Sequence, residues 1–359
     1  MNDSRYDVTV VGAGFAGLAT AFHLSAADSP SIVVLEQREV PGAHASGRNA
    51  GMVLQSVPSP PLRRVVAASV RAYRERREEI GFEPVGSLLL GSDSTLEAVR
   101  DPELVASSWR SPREVKDRIP LLENHRFPRA LETPSDGVMD VGRLLEHYRV
   151  GAQERGVELR LRTEVVRIES IPAGFRLQTS RGLVETGVLV NAAGAWAAPL
   201  GAEAGGRDLS LRPFKRHLFV LDGISLPSGS PFVWNLDEEF YVRNESGGVL
   251  ASICDEDLSS NLAETVEPEM NLALAEKLGP LLQGVDRARI RTVWACHRTK
   301  APDGLFVVGW DPVQEGLFWV AGLGGHGMGA SWEIGRLAAD ALLAPSTAGD
   351  GPFDPARFP

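Results

Sequence analysis

The sequence predicts an α/β fold in which a domain built on a parallel sheet is interrupted by an inserted, mostly antiparallel α+β domain. Three observations carry this. The chain opens with a strand–helix–strand unit, it ends with a strand that runs into a glycine-rich turn and a helix, and the stretches between change texture. At the start, residues 7–11 (Asp-Val-Thr-Val-Val) form a β-branched apolar run that Gly12 stops. Over 15–25 the apolar positions Leu18, Ala21, Phe22 and Leu24 recur at helical spacing. Pro30 and Ser31 punctuate, and 32–35 (Ile-Val-Val-Leu) reads as a second buried strand. A β-α-β unit of about 30 residues implies a parallel pair with a right-handed crossover.

The middle of the chain reads differently. Residues 62–80 are arginine-rich and helical, 88–90 reads as a strand, and the chain up to Arg129 is irregular and dotted with proline. A helix is expected over 140–155, with Asp140 as N-cap and Gly156 just past its end. Strands are expected at 157–161, 164–169, 175–179 and 187–190. A non-helical region with alternating runs follows over 211–254, then a helix over 268–282. The last apolar strand, 317–321, meets the run Gly322-Leu-Gly-Gly-His-Gly-Met-Gly329 and a helix over 331–343. The expected division is one domain from 1–65, 136–210 and 300–345, a second from 66–135 and 211–299, and a loose tail over 346–359.

Composition excludes several classes. With 359 residues, 43% hydrophobic and 23% charged, the chain is neither disordered nor a single small core. A net charge of −10 argues against nucleic acid as a partner. Cys254 and Cys296 are too few for a disulfide framework or a cysteine zinc site, so no metal site is expected. No apolar run reaches the roughly 18 residues needed to span a bilayer, and no cleavable signal precedes the first strand. The expected location is cytoplasmic.

Gly12-Ala-Gly14-Phe-Ala-Gly17 sits between the first strand and its helix. Gly12 permits the tight turn, Gly14 lets the backbone approach a pyrophosphate, and Gly17 lets helix and strand pack closely. The helix start turns free N–H groups towards the phosphates. Glu36 ends the second strand, where a carboxylate accepts hydrogen bonds from ribose hydroxyls and repels a 2′-phosphate. This is a Rossmann-like dinucleotide site. The second glycine-rich strand–helix junction far downstream suits an extended FAD better than NAD.

The segments Val11-Gly-Ala-Gly-Phe-Ala-Gly17, Glu36, His44-Ala-Ser-Gly-Arg-Asn-Ala-Gly51, Val190-Asn-Ala-Ala-Gly-Ala-Trp196, Pro302-Asp-Gly304 and Gly324-Gly-His-Gly327 span nearly the whole chain. In that order they resemble the FAD-dependent amine/D-amino acid oxidoreductases, a group with glycine oxidase, monomeric sarcosine oxidase and D-arginine dehydrogenase-like proteins. The resemblance implies a Rossmann-like FAD-binding domain carrying an inserted substrate domain. The cofactor-binding residues it implies begin with Gly12, Gly14, Phe15, Ala16, Gly17, Glu36, Gln37 and Arg38. The loop His44, Ala45, Ser46, Arg48, Asn49, Ala50 and Gly51 wraps the flavin. Val165, Ala193, Gly194 and Trp196 close the adenine side, and Gly324, Gly325, His326, Gly327 and Met328 face the flavin pyrimidine edge. There a helix dipole stabilises negative charge on a reduced flavin. Cys296 matches the position at which sarcosine oxidase-like proteins link the flavin covalently, so the FAD is expected either non-covalent or joined there.

For the substrate, the resemblance implies a carboxylate clamp of Arg298, Arg216 and Tyr241, with His44 and His326 flanking the flavin. Guanidiniums beside a phenol in an apolar setting need an anion, and bidentate geometry suits a carboxylate. The four lysines are 116, 215, 277 and 300, so none lies on the 248–254 strand where sarcosine oxidase-like proteins carry theirs. This favours a dehydrogenase over a fast oxidase, with O2 or a quinone-like acceptor as electron partner. The expected reaction oxidises the C–N bond of a small carboxylate-bearing amine: a D-amino acid, glycine or an N-methyl amino acid. The alternatives are an FAD-dependent 2-hydroxy acid dehydrogenase, which needs a base for the hydroxyl proton, and a non-catalytic flavin-binding assembly protein.

Overall fold

The strand β1 (Ser4–Val11) organises the amino-terminal part of the chain, because its last four residues are buried on both faces. The computed structural model describes residues 4–27, 30–259, 261–344 and 351–359. They fall into two units, one from 1–47, 140–214 and 297–359, the other from 48–139 and 215–296.

In the first unit β1 pairs in parallel with β2 (Ile32–Leu35) on one side and with Gly182–Asn191 on the other. Val10 stands opposite Val34 and Val190, so three β-branched residues line up across the sheet. Strands covered on both faces read as unbroken apolar runs, which is why this unit is legible at 7–11 and 32–35. The helix α1 (Phe15–Leu24) makes the crossover. Glu158–Arg160 extends the sheet beyond β2 in parallel, and an antiparallel arm of Gly174–Thr179 and Val165–Ile171 extends it beyond Gly182–Asn191. Leu317–Ala321 adds to Gly182–Asn191 in parallel, with Val307–Trp310 antiparallel to it. The sheet has eight strands among the described residues.

The carboxyl-terminal helix runs Gly327–Leu343, four residues longer at its start than the sequence suggests. Gly327 and Gly329 do not take positive φ, unlike Gly322, Gly324 and Gly325, so the glycine run is half turn and half helix. This helix crosses α1 closely: a Cβ on Gly335 would lie 2.6 Å from the backbone of Ala19. The expected loose tail is corrected in part. Residues 351–359 pack on this unit, with Phe353 stacked on Phe306 and Arg357 bonded to both Asp303 carboxylate oxygens at 2.7 and 3.2 Å. Residues 345–350 lie outside the described residues.

The second unit is a mixed, mainly antiparallel sheet of nine strands among the described residues. From one edge the order is Asp257–Leu258, Arg212–Asp222, Gly248–Ser252, Phe240–Glu245, Phe232–Asn235, Ser87–Gly91, Arg129–Thr133 and Ser108–Arg110, with Arg289–Lys300 also on Arg212–Asp222. Side chains alternate between faces. Phe219, Leu221, Phe240, Val242, Val249 and Ala251 bury one face together with Leu274 and Leu278 of the helix Met270–Leu278. Leu218, Tyr241 and Leu250, with the opposite parity, form a second cluster with Ala50, Cys254 and Cys296. That second face is the one that carries Arg216.

The stretch expected to be irregular holds the helices Asp93–Val99 and Pro112–Arg118. Both are short and start from serine caps. Ser111 and Glu114 form a reciprocal capping box, a Ser-x-x-Glu signal readable in the sequence. The helix expected over 62–80 breaks at Arg76 into Pro60–Glu75 and Arg77–Ile80.

One buried carboxylate in this unit makes its stability depend on pH. Asp136 is fully buried and accepts from Ser87 Oγ (2.6 Å), Gln55 N (3.0 Å) and Gln55 Nε2 (2.9 Å). Burial pushes its carboxyl up to about 6, against the lowering effect of Ser87 and Gln55. Between the unfolded value of 3.8 and that value, the folded chain holds a proton that the unfolded chain has released. Its contribution to stability is therefore complete below the unfolded value and lost as pH rises through about 6, a loss on the order of 3 kcal/mol. Asp136→Asn should remove that loss. Relative to wild type, the variant gains stability in urea unfolding between about pH 4 and about pH 7. A difference that stays constant with pH contradicts the assignment.

Candidate active site

At the start of α1 the chain leaves room where side chains would ordinarily be. Gly12 has φ +107°, and a Cβ there would sit 2.5 Å from Ala192 O. A Cβ on Gly17 would sit 1.9 Å from Gly12 O. The N-cap is Gly14, which offers no side chain to the first-turn amides. Phe15 N donates to Ser46 Oγ at 3.0 Å, tying the loop at 44–47 to this turn. Glu36, buried at the end of β2, accepts from Ala13 N (3.0 Å) and Arg38 N (2.8 Å), so its carboxylate is fixed beside the glycine turn. A bare turn, an uncapped helix start and a fixed carboxylate fit a dinucleotide such as FAD. Gly12 to Gly17 would hold the pyrophosphate and Glu36 the ribose.

Other expected contacts of the nucleotide end gather nearby in this unit. His44 Nε2 lies 3.4 Å from Gln37 Nε2 and 3.3 Å from Arg38 Nε, and its ring is 4.5 Å from that of Trp196. His44 thus sits among the residues that follow Glu36. Ala193 N bonds to Asn191 Oδ1 at 3.3 Å, Gly194 takes φ +56°, and Val165 begins the strand at the sheet edge. Ala45 is exposed.

The same unit carries the second glycine turn. Gly324 N bonds to Thr299 O, and a Cβ on Gly325 would lie 2.9 Å from Arg298 Nε, so the turn lies against that guanidinium. His326 is the N-cap of the helix Gly327–Leu343, with Met328 buried in its first turn. Burial first, and then the cations Arg298 and Lys300, push His326 down to about 4. Lys300, whose ammonium also lies 5.7 Å from the Phe214 ring, has no counterpart in the sequence-based site. Only its spacing of two from Arg298 along an alternating strand signals it.

His326 is therefore neutral throughout the neutral range, which gives an expected result. The acid limb of the pH profile of kcat/KM should not arise from His326, and His326→Asn should leave its midpoint in place. A limb near about 6.5 that vanishes in the variant contradicts this.

In the second unit the substrate candidates come together on the sheet face that carries Leu218. Arg216 is 4% exposed and Tyr241 fully buried. Arg216 Nε donates to Asp255 O at 2.6 Å and Nη2 lies 3.6 Å from Glu256, while Nη1 is buried with no hydrogen-bond partner among the described residues. Burial opposes its charge, but Cys254, Tyr241, Asp255 and Glu256 outweigh that and hold it charged. The Tyr241 ring is 5.0 Å from Trp234. Cys254 and Cys296 are buried thiols of the same apolar cluster.

Residues 48–51 are stapled into this unit by two residues the sequence analysis missed. Trp294 Nε1 donates to Arg48 O (2.8 Å) and Arg243 Nε donates to Ala50 O (2.5 Å). Asn49 Oδ1 accepts from Gly51 N, and Arg48 pairs with Glu264 at 3.3 Å. An arginine at an inward position of Phe240-Tyr-Val-Arg243 is the signal that marks Arg243. Burial lowers its guanidinium, with Glu245 opposing.

Comparison with known proteins decides the family. The model described as "FAD dependent oxidoreductase" matches residues 7–341. The chain belongs to that family. It is 29% identical to glycine oxidase of Geobacillus kaustophilus over 375 residues, covering 98% of this chain and 97% of that protein. It is 26% identical over 384 residues to the mitochondrial dimethylglycine dehydrogenase of Rattus norvegicus, covering 98% of this chain. Of that relative's own length the chain spans 44%. The crystal structure of L-proline dehydrogenase from P. horikoshii superposes with a TM-score of 0.89 over 99% of this chain and 98% of that one, at 24% identity. That likeness is one of fold. No helix among the described residues is long and apolar enough to cross a membrane.

Proposed function

We propose that the chain oxidises the C–N bond of a small amino acid, namely a D-amino acid, glycine or an N-methyl amino acid, and acts as a dehydrogenase. The observation that supports this most is Arg216, a buried guanidinium with one Nη unpartnered among the described residues, beside the buried phenol of Tyr241. A buried cation with an unfilled donor is satisfied by an anion, and a carboxylate matches its fork. The resemblance assigns the same task to Arg298. Bound FAD supplies the acceptor for the hydride that leaves Cα. Arg216 and Tyr241 hold the carboxylate, which fixes the direction of the Cα–H bond and removes the entropy of finding it. The neutral amine supplies the lone pair that becomes the C=N bond. The imine then hydrolyses, giving a 2-oxo acid and ammonia or a carbonyl compound and an amine.

His326 supports the amine over a 2-hydroxy acid. A base whose conjugate acid titrates at about 4 takes a hydroxyl proton poorly, whereas amine oxidation needs no protein base. Gly248–Ser252 and the residues to Cys254 offer no lysine to a developing superoxide, which supports an acceptor other than O2. Turnover with a dye acceptor and with O2, measured for amino acids and for 2-hydroxy acids, tests both points. Amino acids should turn over with the dye faster than with O2. Turnover of 2-hydroxy acids alone contradicts the reading. The expected FAD is non-covalent, and denaturation in acid should release it; a flavin that stays with the Cys296 peptide overturns that part.

A further inference from the structure

Arg216 is held by a segment that is itself held by ion pairs. After Gly248–Ser252 the chain passes Cys254, which takes φ +52°, and returns as the edge strand Asp257–Leu258 beside Arg212–Asp222. Asp255 is the hinge of this return. Its carbonyl accepts from Arg216 Nε at 2.6 Å, while its carboxylate accepts from His217 N (3.0 Å) and meets His217 Nδ1 (2.7 Å). On its other side the His217 ring faces Glu267 as an ion pair, with Nε2 2.7 Å from Oε2 but not in hydrogen-bond alignment. Lys215 binds the far oxygen of Glu267 and donates to Thr265 O at 3.2 Å. His217 is 2% exposed, and its side chain leaves the strand on the face opposite Arg216. The two side chains are joined through one residue, Asp255.

We propose that His217 is the positioning residue of Arg216: its imidazolium, clasped between Asp255 and Glu267, latches the described residues of 255–267 to the strand Arg212–Asp222 and so fixes the guanidinium. This rests on the reading of Arg216 as a carboxylate ligand. The charged groups facing the ring are Asp255 and Glu267, with Lys215 beyond Glu267; from Gly248–Ser252 the contact is Ser252 Oγ on His217 O, which does not titrate. Burial opposes the imidazolium charge, but the two carboxylates outweigh it, so His217 titrates above its ordinary value. A raised value keeps the latch closed through neutral pH, where both carboxylates are ionised, and opens it as pH rises through that value. Opening leaves two carboxylates around a neutral ring and frees the Asp255 carbonyl to move, with Arg216.

The test uses the flavin-loaded protein and benzoate as a probe carboxylate, its dissociation constant read from the visible flavin spectrum across pH. Wild type should bind tightly around neutral pH, where benzoate and both carboxylates are ionised, and weaken on the alkaline side. His217→Gln should bind roughly tenfold more weakly, with that alkaline transition abolished. Glu267→Gln should keep the transition but move it to lower pH, a shift that a merely structural role for His217 would not produce. Limited cleavage after Glu264 by a glutamate-specific protease should rise in His217→Gln. If Arg216→Ala weakens benzoate but His217→Gln matches wild type in affinity and pH profile, the latch is wrong and the role of Arg216 stands. If Arg216→Ala binds benzoate as wild type does, the carboxylate reading itself is overturned, and the latch with it.

Discussion

Gly17→Ala is expected to yield a folded protein that purifies almost without flavin. The added Cβ would stand 1.9 Å from Gly12 O, on the β1–α1 turn, and 3.1 Å from Val10 Cγ1, near the end of β1. Neither neighbour gives way cheaply. Gly12 O belongs to backbone already held at φ +107° against Ala192, and Val10 is completely buried between β2 and Gly182–Asn191. The start of α1 must move away, and it takes with it the amides that would face the pyrophosphate. Overpacking of this kind costs about 1–3 kcal/mol, which corresponds to FAD binding weakened by up to roughly 100-fold. Titration of apoprotein with FAD measures it, with circular dichroism confirming the fold. FAD affinity equal to wild type would mean that the turn does not hold the nucleotide.

The second large effect belongs to Arg216. Replacing it with alanine removes the charge proposed to meet the substrate carboxylate, together with the donor to Asp255 O and the 3.6 Å ion pair to Glu256. Loss of one member of a buried charge pair costs about 2–5 kcal/mol, so kcat/KM for an amino acid should fall at least about 30-fold. Because the carboxylate is bound in the ground state as well as in the transition state, much of the loss should appear in KM. Arg216→Lys should recover only part, since an ammonium does not reproduce the planar fork. An amine without a carboxylate should be oxidised equally poorly by wild type and variant. An unchanged KM for the amino acid in Arg216→Ala contradicts the assignment.

What could be read from the sequence depended on whether the signal was local. The β1–α1–β2 unit is legible because the strands are buried on both faces and the glycines stand at fixed offsets. The glycines and Glu36 belong to the same local unit, so the geometry of that turn, and with it a proposal for the nucleotide end, could be read there. The neighbours of His44, namely Gln37, Arg38 and Trp196, were not legible, because the motif fixes where its loop lies along the chain and not which side chains it meets. Lys300 was missed because its importance comes from lying near His326, a relation between the end of one strand and a helix cap 26 residues further on. The groups of the proposed latch around His217 were similarly out of reach: Asp255 and Glu267 are far from it in sequence, and no local pattern joins them to it. The short helices at 93–99 and 112–118 escaped because each has too few turns for periodicity, although the Ser111–Glu114 box was present. The packed end of the tail escaped because Phe353 and Arg357 are held by Phe306 and Asp303, contacts no local pattern encodes.

The most direct test is anaerobic mixing of the flavin-loaded protein with a panel of D-, L- and N-methyl amino acids, glycine and 2-hydroxy acids, following the visible flavin band. Bleaching by at least one glycine, N-methyl or D-amino acid, with the 2-hydroxy acids inert, is the result predicted. Bleaching by 2-hydroxy acids alone, or by dithionite but by no member of the panel, would contradict the proposed amine oxidation.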